Sequence, residues 1–161
     1  MSRLSNYFVA MCFGLAAAYV NASELFLAGA ATADLTPAEG VSLDGPISKP
    51  GPVLGVHDSL TARAIVFREA ESSVLIVIND MCMIDRQVYD EAKALVFQET
   101  GIPVSHQLMA ATHTHAAPRV SRISTRPPDE AYRKFVARRI ADAAVRANSN
   151  LAPAKIGIGT F

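Results

Sequence analysis

The sequence predicts an α/β fold: a mixed sheet with a parallel βαβ unit and flanking helices, amounting to part of a domain. Three observations predict it. Val74 to Ile78 is apolar at every position, the segment from about Asp85 to Thr100 switches to a helical period, and Gln107 to Ala111 is a second apolar run. Short connections join the three. A strand, helix and strand so joined place the two strands parallel.

Each element can be justified in order. Leu25 to Ala33 is an apolar stretch running into Asp34-Leu35-Thr36-Pro37, a strand closed by proline. Residues 38–58 carry Gly40, Gly45, Pro46, Pro50, Gly51, Pro52 and Gly55, a density that predicts a long loop without regular structure. Long loops inside compact domains tend to be functional. Ala62 to Arg68 and Val74 to Ile78 form a hairpin about the polar turn Glu69–Ser73. The fully apolar second strand is expected to be covered on both faces. In the following helix Val88, Ala92, Leu95 and Val96 share one side, and Gly101 then Pro103 stop it. A second helix spans about Asp129 to Asn148, opened by Pro127-Pro128-Asp129, with Tyr132, Phe135 or Val136, Ile140 and Ala143 or Ala144 facing the core. Lys155 to Phe161 is expected to be a last strand. A chain that ends in an apolar strand is expected to be the N-terminal portion of something longer.

Composition narrows the function. The 161 residues include 15 basic and 15 acidic side chains, so global electrostatics argue against a nucleic-acid partner. Basic residues do thicken late, through Arg119, Arg122, Arg126, Arg133, Lys134, Arg138 and Arg139. They read as the solvated face of a helix, with a rim for anionic substrates or peripheral membrane contact as the alternative. Residues 1–22 read as a signal peptide: Arg3, an apolar run from Tyr7 to Val20, then the small residues before a cut after Ala22. A short membrane anchor is the competing reading. The mature part, residues 23–161, is thus expected in a secreted or periplasmic setting. It retains one cysteine, Cys82, which makes no internal disulfide and reads as a small hydrophobe after a strand.

Functional groups in parallel units collect beyond the carboxyl ends of strands. Asp80 and the pair His113/His115 both fall there, and two imidazoles two residues apart on extended backbone point the same way. Such a pair suits a catalytic zinc, which takes about three protein ligands and a water. The alternative is two polar strand-end histidines bonded to loops. Asp80 reads as a carboxylate that orients a histidine, binds metal, or caps the next helix. His57, beside Asp58 after the glycine/proline loop, is a candidate for the pocket. His106 precedes the start of the strand that leads to His113 and faces away from its other end. The sequence has no His-Glu-x-x-His, no Cys-x-x-Cys, no Gly-x-Ser-x-Gly and no phosphate loop.

Four segments, in order, resemble the N-terminal catalytic domain of the neutral (non-lysosomal) ceramidases: Gly29–Pro37; Gly55-Val56-His57-Asp58-Ser59-Leu60 leading into Ala62-Arg63-Ala64; Ile78-Asn79-Asp80-Met81-Cys82-Met83-Ile84; and Ala110-Ala111-Thr112-His113-Thr114-His115 with Pro118. The resemblance implies a secreted or membrane-associated zinc amidase that cleaves the N-acyl amide of ceramide. It implies that His113 is a zinc ligand and that His115 sits beside the metal and helps bind or polarise the reacting group. The family's other ligands, a His, a Glu and a Tyr, would lie beyond Phe161, so these 161 residues are expected to be inactive by themselves. The family pattern continues Ser-Gly-Pro after the second histidine, whereas this chain has Ala116-Ala117-Pro118, and the loop after Asp34 differs too. Both departures bear on the substrate more than on the metal. A metal-dependent esterase or other hydrolase on the same scaffold, or a non-catalytic exported module, are the alternatives.

Overall fold

The computed structural model describes residues 25–43, 51–122 and 127–159; the expected signal peptide, 1–22, lies outside them. The main sheet has five strands, β1 (Leu27–Asp34), β4 (Thr61–Glu69), β5 (Ser72–Asn79), β6 (Gln107–Ala111) and β7 (Ala152–Pro153), in the order β6-β5-β4-β1-β7. The β4/β5 hairpin is antiparallel and turns through Ala70, a non-glycine at φ 50°. β5 and β6 pair parallel, with Leu75 opposite Gln107 and Asn79 opposite Ala111. The predicted βαβ unit is therefore present, with α1 (Arg86–Thr100) as its crossover.

Helix boundaries follow local chemistry. α1 ends at Gly101 with φ 74°, where glycine adopts the left-handed cap at no steric cost. α2 (Glu130–Ser149) begins at Asp129, whose side chain accepts a hydrogen bond from the Tyr132 amide at 2.9 Å. α2 packs across β1 and β4, and α1 packs beside it. Ala62, Ala64, Val66, Leu75 and Val77 point from the sheet into one core with Val88, Ala92, Val96, Val136 and Ile140.

Both helices lie against that single face, so among the described residues β5 is covered on one side only. Val74 and Leu108, on the other side, are 45% and 58% exposed. Coverage of both faces, expected from an uninterrupted apolar run, is not met here. Periodicity reports what a strand tolerates on each face and does not supply the covering element.

Two further expectations are corrected. The loop 38–58 holds a small ribbon, β2 (Ser42–Leu43) paired with β3 (Gly51–Pro52), while residues 44–50 lie outside the described ones. Val53 is buried and its amide bonds the Val41 carbonyl at 2.8 Å, so two apolar residues pin a segment that its glycines and prolines alone would leave irregular. Of the expected strand Lys155–Phe161, residues 155–159 form no strand and 160–161 lie outside the described residues; the sheet's last described strand is instead β7. Its two residues run antiparallel to β1, so any residue after Pro153 must pair with one before Leu27, where β1 has not begun. The last contact of this kind is Ala154 N–H to the Phe26 carbonyl, 3.0 Å.

The late basic residues are largely ion-paired. Arg138 bridges Glu99 and Asp142, linking the two helices, and Arg122 pairs with Glu130. Arg133, expected on a solvated face, is buried. It reaches Asp85 at 2.8 Å and Glu130 at 3.3 Å and donates to the Val120 carbonyl, tying the start of α2 to the start of α1. No helix among the described residues is long and apolar enough to cross a membrane.

Candidate metal centre

The parallel register brings the ends of β5 and β6 level, and the chain leaves each strand in a controlled way. The Thr112 amide donates to the Asn79 carbonyl at 2.9 Å, and Asn79 Nδ2 donates to the Ala110 carbonyl at 3.0 Å. These bonds extend the pairing just past the strands. Residues 80–82 and 112–115 then face each other across the carboxyl edge.

His113 has φ 62°, a left-handed conformation that costs a residue with a Cβ about 1 kcal/mol or more. Its Nδ1 lies 2.8 Å from the Cys82 carbonyl oxygen. A carbonyl only accepts, so Nδ1 carries the proton and the Nε2 lone pair is free. Nε2 of His115 is 3.5 Å from Nε2 of His113, with the rings crossed edge-to-face at 82° and 5.0 Å between centroids. Two nitrogens bound to one tetrahedral zinc at about 2.0–2.1 Å would be about 3.4 Å apart. The pair therefore fits a shared metal ion.

The histidines converge as expected, for a different reason. The strand ends at Ala111, and the left-handed turn at His113 folds its ring toward that of His115. The third member of the cluster is Cys82, whose Sγ lies 3.8 Å from His113 Nδ1. Burial pushes its thiol above the ordinary value, which keeps the free thiol protonated at neutral pH. Reading Cys82 as a small hydrophobe missed this neighbourhood. The signal was available, because Cys82 follows closely on the carboxyl end of β5, as His113 does on that of β6.

His57 is exposed, with Nδ1 2.8 Å from Asp58 Oδ2. It shares with Thr114 and His115 the wall of a cavity of about 470 Å³, whose apolar side includes Leu43, Val53, Leu60 and Pro118. His106 bonds the Ser73 carbonyl at the opposite end of β6.

Asp80 is directed at β4. Its carboxylate accepts from the Thr61 amide at 3.0 Å, the Thr61 hydroxyl at 2.8 Å and Arg63 Nη1 at 2.7 Å. The residue preceding α1 is Asp85, not Asp80, so Asp80 does not cap that helix. Burial opposes ionisation of Asp80, but the bonds from Arg63 and Thr61 outweigh it and hold the pKa below the ordinary value of 3.8. A depressed folded-state pKa adds stability that is fully present above the unfolded value and is lost as pH falls through the folded one. Asp80→Asn is accordingly expected to flatten the loss of stability below about pH 4, measured as urea midpoints at pH 6 and pH 3. Equal acid-side losses in the two proteins would show that the Thr61–Asp80–Arg63 contact carries no such linkage.

No family model and no curated protein matches the chain. Solved structures do. The neutral ceramidase from Pseudomonas aeruginosa superposes with a TM-score of 0.69 at 25% identity, over 81% of this chain and 22% of that one. A ceramidase complexed with C2 matches with a TM-score of 0.68 at 24% identity and the same coverage. The chain thus spans about a fifth of the length of the ceramidases it matches. By its fold, over four-fifths of its own length, this chain is similar to the neutral ceramidases, the family that its sequence motifs resemble.

Proposed function

We propose that this chain contributes the first part of the active site of an exported zinc-dependent hydrolase that cleaves the N-acyl amide of ceramide or a related lipid amide. The observation that carries the reading is the approach of two imidazole Nε2 atoms to 3.5 Å at the ends of two parallel strands, with His113 Nδ1 committed to a backbone carbonyl. His113 would hold the metal through Nε2, and the Cys82 carbonyl fixes its tautomer and ring plane, as outer-shell acceptors do for metal-ligating histidines. His115 lies where it can bind the metal or donate to the carbonyl oxygen of the substrate. Zinc held there would supply bound water with a pKa near 7, and so hydroxide at neutral pH. The apolar wall formed by Leu43, Val53 and Leu60 beside His115 offers a dry surface for the aliphatic part of a lipid amide. The start of the chain, read as a signal peptide, supports a secreted or periplasmic setting for this activity.

The test offers a zinc-loaded protein that carries these residues together with the remaining ligands of the site a short-chain ceramide analogue beside a simple ester, before and after chelation. Amide cleavage that disappears with the metal is expected. Turnover of the ester alone would overturn the lipid-amide assignment, and turnover indifferent to chelation would overturn the metal assignment.

A further inference from the structure

We infer that Arg133 is a positioning residue for the cavity beside His115, acting through the segment 116–122 that forms part of its wall. The inference deepens the reading above, since this is the cavity assigned to the lipid amide. The chain leaving His115 belongs to no helix or strand and is joined to its surroundings at a few points. Ala116 and Pro118 line the cavity, Pro118 bridges to Leu43 of the small ribbon, and Val120 bridges to Ile84. The end of the segment is held by charge. The Arg122 amide donates to the Asp85 carboxylate at 3.0 Å. Arg133 Nη1 donates to the same carboxylate at 2.8 Å and also to the Val120 carbonyl. Arg133 is only 4% exposed, and a guanidinium so buried is tolerated where its donors are matched.

The preceding residue anchors another part of the same wall. Tyr132 Oη donates to the Leu35 carbonyl at 2.6 Å, just before Thr36 and Pro37, which also line the cavity. The first turn of α2, fixed by its Asp129 cap, thus ties down both segments. A competing use, Arg133 as a cation that meets the substrate, fails on these contacts. Its Nη1 is committed to Asp85 and Val120, its Nε lies 3.3 Å from Glu130, and it does not line the cavity. His113 is held separately, by the Cys82 carbonyl on its ring and the Asn79 carbonyl on the Thr112 amide. Loosening the segment after His115 should therefore weaken binding of the amide and spare the metal.

The test introduces Arg133→Met into a protein that carries these residues together with the remaining ligands of the site. Methionine keeps the aliphatic stem and removes the donors. KM for a short-chain ceramide analogue is expected to rise at least about fivefold, with kcat changed less than about twofold. Zinc affinity should stay at the wild-type value, which general loosening of the fold would not allow. Amide hydrogen exchange needs neither metal nor substrate. It should quicken at Arg122 by at least about tenfold and stay unchanged at Thr112. Should Arg133→Met fail to fold, Asp85→Asn is the milder variant, since it keeps an acceptor for the Arg122 amide and weakens only the hold of Arg133. It should move KM and the Arg122 exchange in the same direction. An unchanged KM, an unchanged Arg122 exchange rate, or a parallel loss of zinc would overturn the positioning role. If the wild type cleaves no amide, the lipid-amide reading fails, and exchange decides the role of Arg133 by itself: faster at Arg122 alone supports it, and unchanged overturns it.

Discussion

Replacing His113 by alanine is expected to lower zinc affinity by roughly two orders of magnitude. Structural zinc sites bind with about 10–16 kcal/mol shared among four ligands, or about 3 kcal/mol for each donor. Competition against a chromophoric chelator measures the change. The same position permits a second, sharper comparison. His113 sits at φ 62°, where a Cβ is strained and glycine is not. His113→Gly and His113→Ala should therefore lose zinc alike, yet the glycine variant should be more stable than the alanine variant by about 1 kcal/mol in urea. A residue kept in a costly conformation while offering a metal-binding nitrogen is the pattern expected where function outweighs stability. Equal stability of the two variants would mean that the left-handed turn is not imposed on this position.

The second large effect is on stability. Gly29→Ala is expected to destabilise the chain by about 3 kcal/mol and to lower its Tm by roughly 10 °C, measured by thermal unfolding. A Cβ on Gly29 would lie 2.2 Å from the Ala147 carbonyl oxygen and 2.8 Å from backbone atoms of both Asn150 and Leu151. Those are main-chain atoms at the end of α2, and they cannot move aside as a side-chain tip can. Gly29 therefore sets the closeness with which the end of α2 rests on β1, beside Asn150 Nδ2 donating to the Ala30 carbonyl. Gly55→Ala is the control, since a Cβ there meets nothing within 4 Å and should change stability by less than about 0.5 kcal/mol. A mild Gly29→Ala would show that α2 can lift off the sheet without loss.

Much of the fold was legible because its core elements are long and locally consistent. The apolar run of β5, the helical period of α1 with its Gly101 stop, and the run of β6 each point to one structure, and their spacing dictates the crossover. Weaker signals misled. Ile156 and Ile158 alternate as a strand would, yet are 66% and 94% exposed, because strand formation needs a partner and, among the described residues, the ladder with β1 ends at the Leu27–Pro153 pair. The whole of β5 is apolar, but the pattern could not say that both helices lie on one side.

The candidate site divides in the same way. Its location at two strand ends followed from topology. Its geometry did not, since the left-handed backbone of His113 has no signature in a histidine between two threonines. Asp80 was open to several roles, and its partners Thr61 and Arg63 come from a neighbouring strand whose register only the folded sheet defines. Cys82 was passed over because one cysteine carries little meaning until the strand it follows is set beside the one that leads to His113.

Cleavage of a lipid amide and the choice of zinc both depend on one structural reading, that a metal ion sits where His113 and His115 meet. X-ray absorption at the zinc edge of the loaded protein tests it most directly. The structure predicts at least two imidazole nitrogens at about 2.0–2.1 Å, with the outer-shell scattering of their rings. A zinc shell made of oxygen alone, unchanged in His113→Ala, would contradict it.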